Sequence, residues 1–149
     1  MIALLQRVRK GTIEVKQHEI APINQRLLVF IGIKVGDTIM HAQRLLQRLL
    51  SYRIFDDSNK KMNLSLKDIK RGLLLVPQFT LAVYTINSLR PSFNSAASPE
   101  VAEQLFHHLC RDAQHLHYNV ETGQFGSNMQ VSLINDGPAT FLLQDIEKN

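Results

Sequence analysis

Apolar residues recur with two periods along the chain, and together these periods predict strands and two helices. Alternating positions at residues 3–8 and 12–15 predict a β-hairpin whose turn is Lys10-Gly11. An unbroken apolar run at residues 27–33 predicts a strand that is buried on both faces. Similar apolar or alternating patterns predict further strands at residues 73–76, 118–121, 129–135 and 141–144.

Helical spacing of apolar residues appears in two stretches. The first predicted helix follows Gly36-Asp37-Thr38, with Asp37 as its N-cap, and the second follows Ser98-Pro99-Glu100, with Ser98 as its N-cap and proline at the first helical position. Strands outnumber helices, and no βαβ rhythm is visible. The pattern therefore predicts an α+β fold with a mostly antiparallel sheet and two main helices, forming a single domain over residues 1–149.

The composition is that of a globular protein, with 44% hydrophobic and 20% charged residues among 149. No apolar run approaches the roughly 20 residues that a membrane-spanning helix needs, and no leader segment is visible, so we expect a cytoplasmic protein. The single cysteine, Cys110, excludes an internal disulfide and fits a reducing compartment. Its apolar neighbours predict a buried residue without a chemical role.

Positive charge is concentrated in the first half of the chain. Residues 1–75 contain 14 Lys and Arg against 6 Asp and Glu, whereas residues 76–149 contain 3 against 7, which gives the net charge of +4. A basic half is typical of a protein with a polyanionic partner, although the charge pattern alone favours a solvated helix face.

Side chains suited to catalysis are scarce. His107, His108, His115 and His117 cluster on or just after the second predicted helix, lack metal-ligand spacing and are predicted to lie at the surface, whereas His18 and His41 stand alone. No Gly-x-Ser-x-Gly motif is present. Thr80 has no neighbouring base, so the residues alone favour a plain strand position for it. Asp56 and Asp57 fall on opposite sides of a strand, and their polar turn lacks the spacing of a calcium loop. Main-chain N–H groups and the substrate itself remain the candidates for any chemistry.

Two short segments are hard to explain as core. One is Pro77-Gln78-Phe79-Thr80-Leu81, and the other is Asn135-Asp136-Gly137-Pro138-Ala139-Thr140, which lies between two apolar alternating runs. Proline removes a backbone donor, and glycine allows a close approach of the main chain. The Gly-Pro step therefore predicts a turn that presents its backbone to a ligand or to a partner subunit.

These segments resemble the signatures of the D-aminoacyl-tRNA deacylase family of bacteria and eukaryotes. The resemblance extends over nearly the whole chain, and the order and spacing of the motifs make it specific. The matching motifs are Leu4-Leu5-Gln6-Arg7-Val8, Gly36-Asp37-Thr38, Arg53-Ile54-Phe55-Asp56-Asp57, Lys61-Met62-Asn63-Leu64-Ser65, Gln78-Phe79-Thr80-Leu81, Arg90-Pro91-Ser92-Phe93, Gly123-Gln124-Phe125-Gly126, Asn135-Asp136-Gly137-Pro138 and Thr140.

The resemblance implies an enzyme that removes D-amino acids, and also glycine, from mischarged tRNA by hydrolysing the ester at the terminal adenosine. It implies a homodimer with a barrel-like core, in which a cis Gly137-Pro138 peptide enters the partner's pocket and excludes L side chains. Arg7 then braces that wall, and Met129 lines the pocket.

Catalysis in this family uses the tRNA 2′-hydroxyl and main-chain donors, which here implies the segment Gln78-Phe79-Thr80 with the N–H groups of Phe79 and Thr80. A Thr80 nucleophile is the weaker alternative. The tRNA contacts implied by the basic half are Arg44, Arg48, Lys60 and Lys61. The expected partners are aminoacyl-tRNA and a second copy of the chain, with no DNA, membrane, metal or cofactor.

The chain departs from the family pattern at Pro77, where serine is usual, and at Ser88-Leu89, before the Arg90-Pro91 loop. Pro77 removes a hydroxyl and an N–H from the first signature. Two alternatives to the enzyme therefore stay open: a tRNA-binding dimer that is inactive because of Pro77, and a structural protein that keeps only the fold.

Overall fold

A computed structural model describes residues 1–145 of the protein, and for Pro22 and Ile23 it describes the main chain only. It contains seven strands and two α-helices. In chain order these are β1 (Ile2–Val15), β2 (His18–Gly32), α1 (Ile39–Ser51), β3 (Phe55–Asp56), β4 (Met62–Leu64), β5 (Gly72–Pro77), α2 (Pro99–Leu116), β6 (Val120–Thr122) and β7 (Met129–Gln144). Two short 3-10 turns, Phe79–Ala82 and Phe93–Ser95, lie between β5 and α2.

The main sheet has the strand order β6-β5-β2-β1-β7 and curls into a half-barrel. The long strand β1 pairs antiparallel with both β2 and β7, whereas β5 pairs parallel with β2 and with β6. The α+β class and the two helices are thus confirmed. The expectation that no βαβ unit is present was wrong, because α1 lies in the crossover from β2 to β5 and α2 in the crossover from β5 to β6.

The first hairpin turns later than the sequence predicts. Strand β1 runs through Lys10-Gly11, and Val15 pairs with His18 across a two-residue turn at Lys16 and Gln17. Both turn residues have positive φ, 50° and 67°, which is the geometry of a type I′ hairpin. Gly11 serves a different purpose, since a Cβ there would lie 1.9 Å from the carbonyl oxygen of Ser132 in β7.

Both predicted helices are present, but the N-cap of α1 is Thr38 and the Asp37 prediction was wrong. The Thr38 N–H donates to Nδ1 of His41 at 2.9 Å. The carboxylate of Asp37 is already occupied, because it accepts hydrogen bonds from the Met1 amino group at 2.8 Å and from the Lys34 N–H at 2.7 Å. Helix α2 begins as predicted, with Ser98 as N-cap and Pro99 as the first helical residue.

The main core lies between the sheet and the two helices. Alternate residues of β2, Leu27, Val29 and Ile31, face the helices, while Leu28 faces a smaller cluster on the opposite side of the sheet. This two-sided burial explains the unbroken apolar run that predicts the strand. Among the described residues, no helix is long and apolar enough to cross a membrane.

Two predictions about single residues of α2 and its C-terminal end have different outcomes. Cys110 is buried as predicted, and burial raises the pKa of its thiol to about 12, which keeps it uncharged. The surface prediction fails for His117, which is buried with Nε2 2.6 Å from the carbonyl oxygen of Arg71. That contact ties the end of α2 to the residue that precedes β5.

Candidate active site

The chain turns sharply where β5 ends. The Gln78 N–H donates to the Ile31 carbonyl at 2.8 Å, and the next residues form the 3-10 turn Phe79–Ala82. This turn packs on the end of β2, where a Cβ on Gly32 would lie 2.8 Å from Cβ of Leu81. Thr80 therefore lies in a 3-10 turn, and the strand position favoured for it by the residues alone was wrong.

A cleft of about 550 Å³ opens beside this turn. None of its lining side chains is acidic, basic, histidine or cysteine, so the cleft is bordered by apolar groups, amides, one hydroxyl and the main chain. The lining residues are Val76, Pro77, Gln78, Phe79, Ala97, Pro99, Ala102, Phe125, Gly126, Ser127, Asn128, Met129 and Val131. Such a lining can orient a substrate but cannot supply a titrating acid or base.

Three of the predicted site residues meet in this cleft, namely Gln78, Phe79 and Met129. Thr80 is exposed beside it, and its hydroxyl accepts a hydrogen bond from the Gln78 side-chain amide. The N–H groups of Phe79 and Thr80 belong to the first residues of the 3-10 turn, where donors have no acceptor within the turn itself. They are thus suited to bind an oxygen of a ligand.

Pro77 occupies a position that tolerates proline. Because Gln78 donates to β2, the nitrogen of Pro77 faces the other side of β5, where the Gly123 N–H donates to the Leu75 carbonyl at 2.7 Å. Pro77 is the last residue of β5 and supplies no N–H on that side, so the ladder goes no further there. Its ring lines the cleft and lies near Gly123, where a Cβ would be 3.2 Å from the Pro77 Cδ.

The second unexplained segment bulges out of β7. Val8 pairs with Asn135 and Gln6 pairs with Thr140, so four residues of β7 face the single residue Arg7 of β1. The side chain of Asn135 closes the bulge, accepting from the Ala139 N–H at 3.0 Å and donating to the Thr140 hydroxyl at 2.7 Å. Gly137 and Pro138 are exposed at its tip, and the peptide between them is cis, as the family resemblance implies.

Arg7 supports this bulge from below. Its side chain is only 8% exposed, its Nε donates to the Asp136 carbonyl at 2.9 Å, and its Nη1 donates to the Ile54 carbonyl at 2.9 Å. A Cβ on Gly137, whose φ is +128°, would lie 2.6 Å from Nη2 of Arg7. The predicted pairing of Arg7 with the Gly137-Pro138 segment is therefore present within one protomer.

The bulge and the cleft are separate in one protomer. Neither Arg7 nor Gly137-Pro138 lines the cleft, and Arg7 instead borders a small polar cavity of about 170 Å³ together with Asp56, Arg71 and Asp136. The predicted site residues thus form two groups, of which one presents an open cleft and the other an exposed, braced stretch of main chain.

The sequence matches a known protein family over nearly its whole length. The family described as D-Tyr-tRNA(Tyr) deacylase matches residues 4–144. The chain belongs to this family. Among curated members, it is 54% identical to the D-aminoacyl-tRNA deacylase of Pseudomonas fluorescens (strain SBW25) and 49% identical to that of Legionella pneumophila (strain Lens), each over 97% of this chain and 99% of the relative.

Solved structures give the same fold for this D-Tyr-tRNA(Tyr) deacylase family member. A c-Myc DNA unwinding element binding protein superposes with a TM-score of 0.94 at 29% identity, covering 99% of this chain and 100% of the other. The structure of a "probable eukaryotic D-amino acid tRNA deacylase" superposes with a TM-score of 0.82 at 18% identity, covering 95% and 97%.

The four cations expected to contact tRNA lie in two places. Arg44 donates to the Asp145 carboxylate at 2.9 Å and Arg48 to the Gln144 carbonyl at 3.0 Å, so both hold the end of β7 against α1. Lys60 and Lys61 are exposed in the turn between β3 and β4. In that turn the pKa of Asp57 is lowered, chiefly by the Lys61 N–H. A role of the four cations in tRNA binding stays a prediction.

Several cleft residues are ones that the sequence analysis did not assign to the site. Pro99 and Ala102 come from the start of α2, Ala97 lies just before its N-cap, and residues 125–128 come from the loop before β7. The available signal for the loop is the Gly123-Gln124-Phe125-Gly126 motif, in which Gly126 has a φ of +77° that lets the chain turn. In the sequence, Ala102 belongs to the apolar stripe of α2, and its spacing does not distinguish it from residues of the core.

Proposed function

We propose that this protein hydrolyses the ester bond of D-aminoacyl-tRNA and releases the free D-amino acid and tRNA. The observation that carries the proposal is the cleft beside Gln78 and Phe79, which offers main-chain donors and no titrating side chain. The curated relatives are D-aminoacyl-tRNA deacylases, and their activity supplies the substrate class that fits such a cleft. The site of action would be the cytoplasm, where aminoacyl-tRNA is used.

In the proposed reaction, water attacks the ester carbonyl and the bond to the ribose 3′-oxygen breaks, with a proton passing to that oxygen. The N–H groups of Phe79 and Thr80 hold the negative charge that develops on the carbonyl oxygen, and the 2′-hydroxyl of the same ribose assists the proton transfer. Oriented donors of this kind can each contribute a few kcal/mol to transition-state stabilisation. The uncharged lining of the cleft supports this assignment, as a side-chain base would have to come from elsewhere.

For chiral selection, we assign Gly137 and Pro138 to the cleft of a partner subunit in a homodimer. Their carbonyl groups would hold the substrate amino group, and their backbone would leave no room for an L side chain. Two observations support a role across the dimer: the segment is exposed and braced by Arg7, and it does not line the cleft of its own protomer. Glycine has no side chain to exclude, so glycyl-tRNA is a further proposed substrate.

The activity is tested by incubating the protein with D-Tyr-tRNA and L-Tyr-tRNA and following release of tyrosine. We expect hydrolysis of the D ester with little attack on the L ester, because the selection depends on a steric clash with the wrong enantiomer. Glycyl-tRNA is expected to be hydrolysed as well. Equal rates for the two enantiomers, or no hydrolysis of either, would rule out the proposed function.

The alternative function is a tRNA-binding dimer that is inactive because of Pro77. The geometry after Pro77 disfavours it, since the Gln78 N–H keeps its hydrogen bond to the Ile31 carbonyl and both Gln78 and Phe79 line the cleft. We therefore expect Pro77→Ser to change kcat/KM for D-Tyr-tRNA by less than about threefold, which is under ~0.7 kcal/mol. A wild-type protein that binds tRNA without turnover, and gains turnover with Pro77→Ser, would establish the alternative instead.

A further inference from the structure

Two exposed phenyl rings lie side by side at the edge of the cleft. Phe79 is 58% exposed and Phe93 is 53% exposed, with ring centroids 5.8 Å apart and planes inclined by 32°. Phe79 lines the cleft and Phe93 does not, so the pair forms a continuous apolar path from the cleft to the outer surface. We call this pair the phenyl shelf. Adjacent apolar surface left in solvent beside a cleft indicates contact with a ligand.

The segments that carry the phenyl shelf are fixed to each other. Tyr84 and Ser92 exchange two main-chain hydrogen bonds, of 3.0 and 3.1 Å. The Ser95 hydroxyl donates to the Ala82 carbonyl, and the Ser95 carbonyl accepts from the Val35 N–H at 3.0 Å. The main chain that carries the two rings is thus held in place before any ligand arrives, which lowers the entropic cost of binding.

The surroundings of the shelf suit a polyanion. The sequence contains no acidic residue between Asp68 and Glu100, and Arg90 is exposed three positions before Phe93. A ligand that combines flat apolar rings with phosphate groups could therefore stack on the two rings. Its phosphates would meet no negative side chain from residues 69–99. Single-stranded nucleic acid has this chemistry, and its bases commonly stack on exposed aromatic side chains.

We infer that the phenyl shelf stacks the base of the penultimate nucleotide of the tRNA. The inference depends on the proposed function, which places the terminal, aminoacylated nucleotide in the cleft. The polynucleotide chain must then leave the cleft across its edge, and Phe93 presents a ring just beyond Phe79. Phe93 therefore contributes to binding of tRNA and takes no part in the chemical step.

The test measures kcat/KM for three D-tyrosyl esters: intact D-Tyr-tRNA, the same tRNA with an abasic penultimate nucleotide, and D-tyrosyl-adenosine. We expect Phe93→Ala to lower the value for intact tRNA by about tenfold to a hundredfold, mainly through KM, as expected for the loss of one stacked base. With the wild-type protein, kcat/KM for the abasic tRNA should be lower than for intact tRNA by the same factor. Phe93→Ala should not lower kcat/KM for the abasic tRNA any further, because both changes remove the same contact. The value for D-tyrosyl-adenosine should stay within about twofold.

Matched variants separate stacking from packing. Phe93→Tyr keeps a ring and should behave as wild type, whereas Phe93→Leu keeps apolar volume without a ring face and should behave as Phe93→Ala. Tyr118→Ala removes another exposed aromatic side chain after the far end of α2, about 27 Å along the helix axis from its start, and should have no effect.

Three results would overturn the inference. Equal losses on all three esters would mean that Phe93 only positions Phe79, and a shift of Phe93→Ala from dimer to monomer in sedimentation would mean that a second copy covers the shelf. Additive effects of the abasic site and Phe93→Ala would place the base elsewhere. Failure of the wild-type protein to hydrolyse any of the esters would instead overturn the proposed function, and this inference with it.

Discussion

Gly137→Val is expected to reduce hydrolysis of D-Tyr-tRNA by more than about a hundredfold, a loss of about 2.7 kcal/mol in transition-state stabilisation. Gly137 has a φ of +128°, and a Cβ there would lie 2.6 Å from Nη2 of Arg7. A branched side chain must therefore displace Arg7 or change the backbone, and either movement alters the exposed carbonyl groups of the bulge. The measurement is the initial rate of tyrosine release, with the melting temperature recorded alongside.

Gly36→Val is the matched control for this change. Gly36 also has positive φ, +88°, but a Cβ there meets nothing within 4 Å, so it shares the conformational cost without the collision. We expect it to lower the melting temperature and leave turnover largely intact. A folded Gly137→Val protein that hydrolyses D-Tyr-tRNA at the wild-type rate would contradict the assignment of this segment to substrate selection.

The same variant can show whether the segment acts across the proposed dimer. Ser127 lines the cleft, so Ser127→Trp should fill it while leaving Gly137-Pro138 unchanged. Co-expression with Gly137→Val would create mixed dimers in which one intact cleft faces one intact segment of the partner. Activity recovered only in the mixed dimers supports donation between subunits, and no recovery would mean that each protomer works alone.

Arg7→Ala is expected to lower the free energy of unfolding by about 2–4 kcal/mol, since hydrogen bonds from a charged donor are worth about 1.5–3 kcal/mol each. The buried guanidinium holds the carbonyl groups of Asp136 and Ile54, which lie far apart in sequence. Its removal would leave the bulge of β7 without support, so we also expect turnover to fall by at least about tenfold through kcat. Urea unfolding and single-turnover hydrolysis measure the two effects.

Asp56→Asn provides the comparison for Arg7. Asp56 lies 3.6 Å from Nη1 of Arg7 but is half exposed, so its ion pair should contribute under about 1 kcal/mol. We expect this variant to remain close to wild type in both assays. Arg7→Ala with normal turnover and reduced stability would show that the support of the bulge matters only for folding.

The sequence predicts the elements of this fold better than their connections. The apolar stripes of α1 and α2 and the two-sided run of β2 were sufficient to place those elements. The direction of β5 relative to its neighbours was not predicted. A short apolar run shows that a strand is buried on both faces, but by itself it does not fix which strands flank it or in which direction they run. Gly11 was misread for a related reason: it permits the close approach of Ser132, a residue distant in sequence.

The residues of the candidate site were likewise predicted only in part. Gln78, Phe79 and Met129 were identified through the family resemblance and do meet in one cleft, whereas Ala97, Pro99 and Ala102, at and just before the start of α2, were not identified. Their chemistry is that of ordinary core residues, and only the packing of α2 beside the 3-10 turn brings them to the cleft. Arg7 was assigned to the site through the family resemblance, but its burial was not predicted. A charged side chain can be buried in this strand because two carbonyl groups accept its hydrogen bonds.

The pairing of β1 with β7 has a consequence for biosynthesis. Register partners such as Ile2 and Gln144 lie far apart in sequence, so one side of β1 stays unpaired during translation until β7 has been made. Pairings between such distant segments form slowly and leave a strand edge open to misassembly in the meantime. Because Gly137-Pro138 lies inside β7, a nascent chain acquires its candidate selectivity element only after that strand has been made.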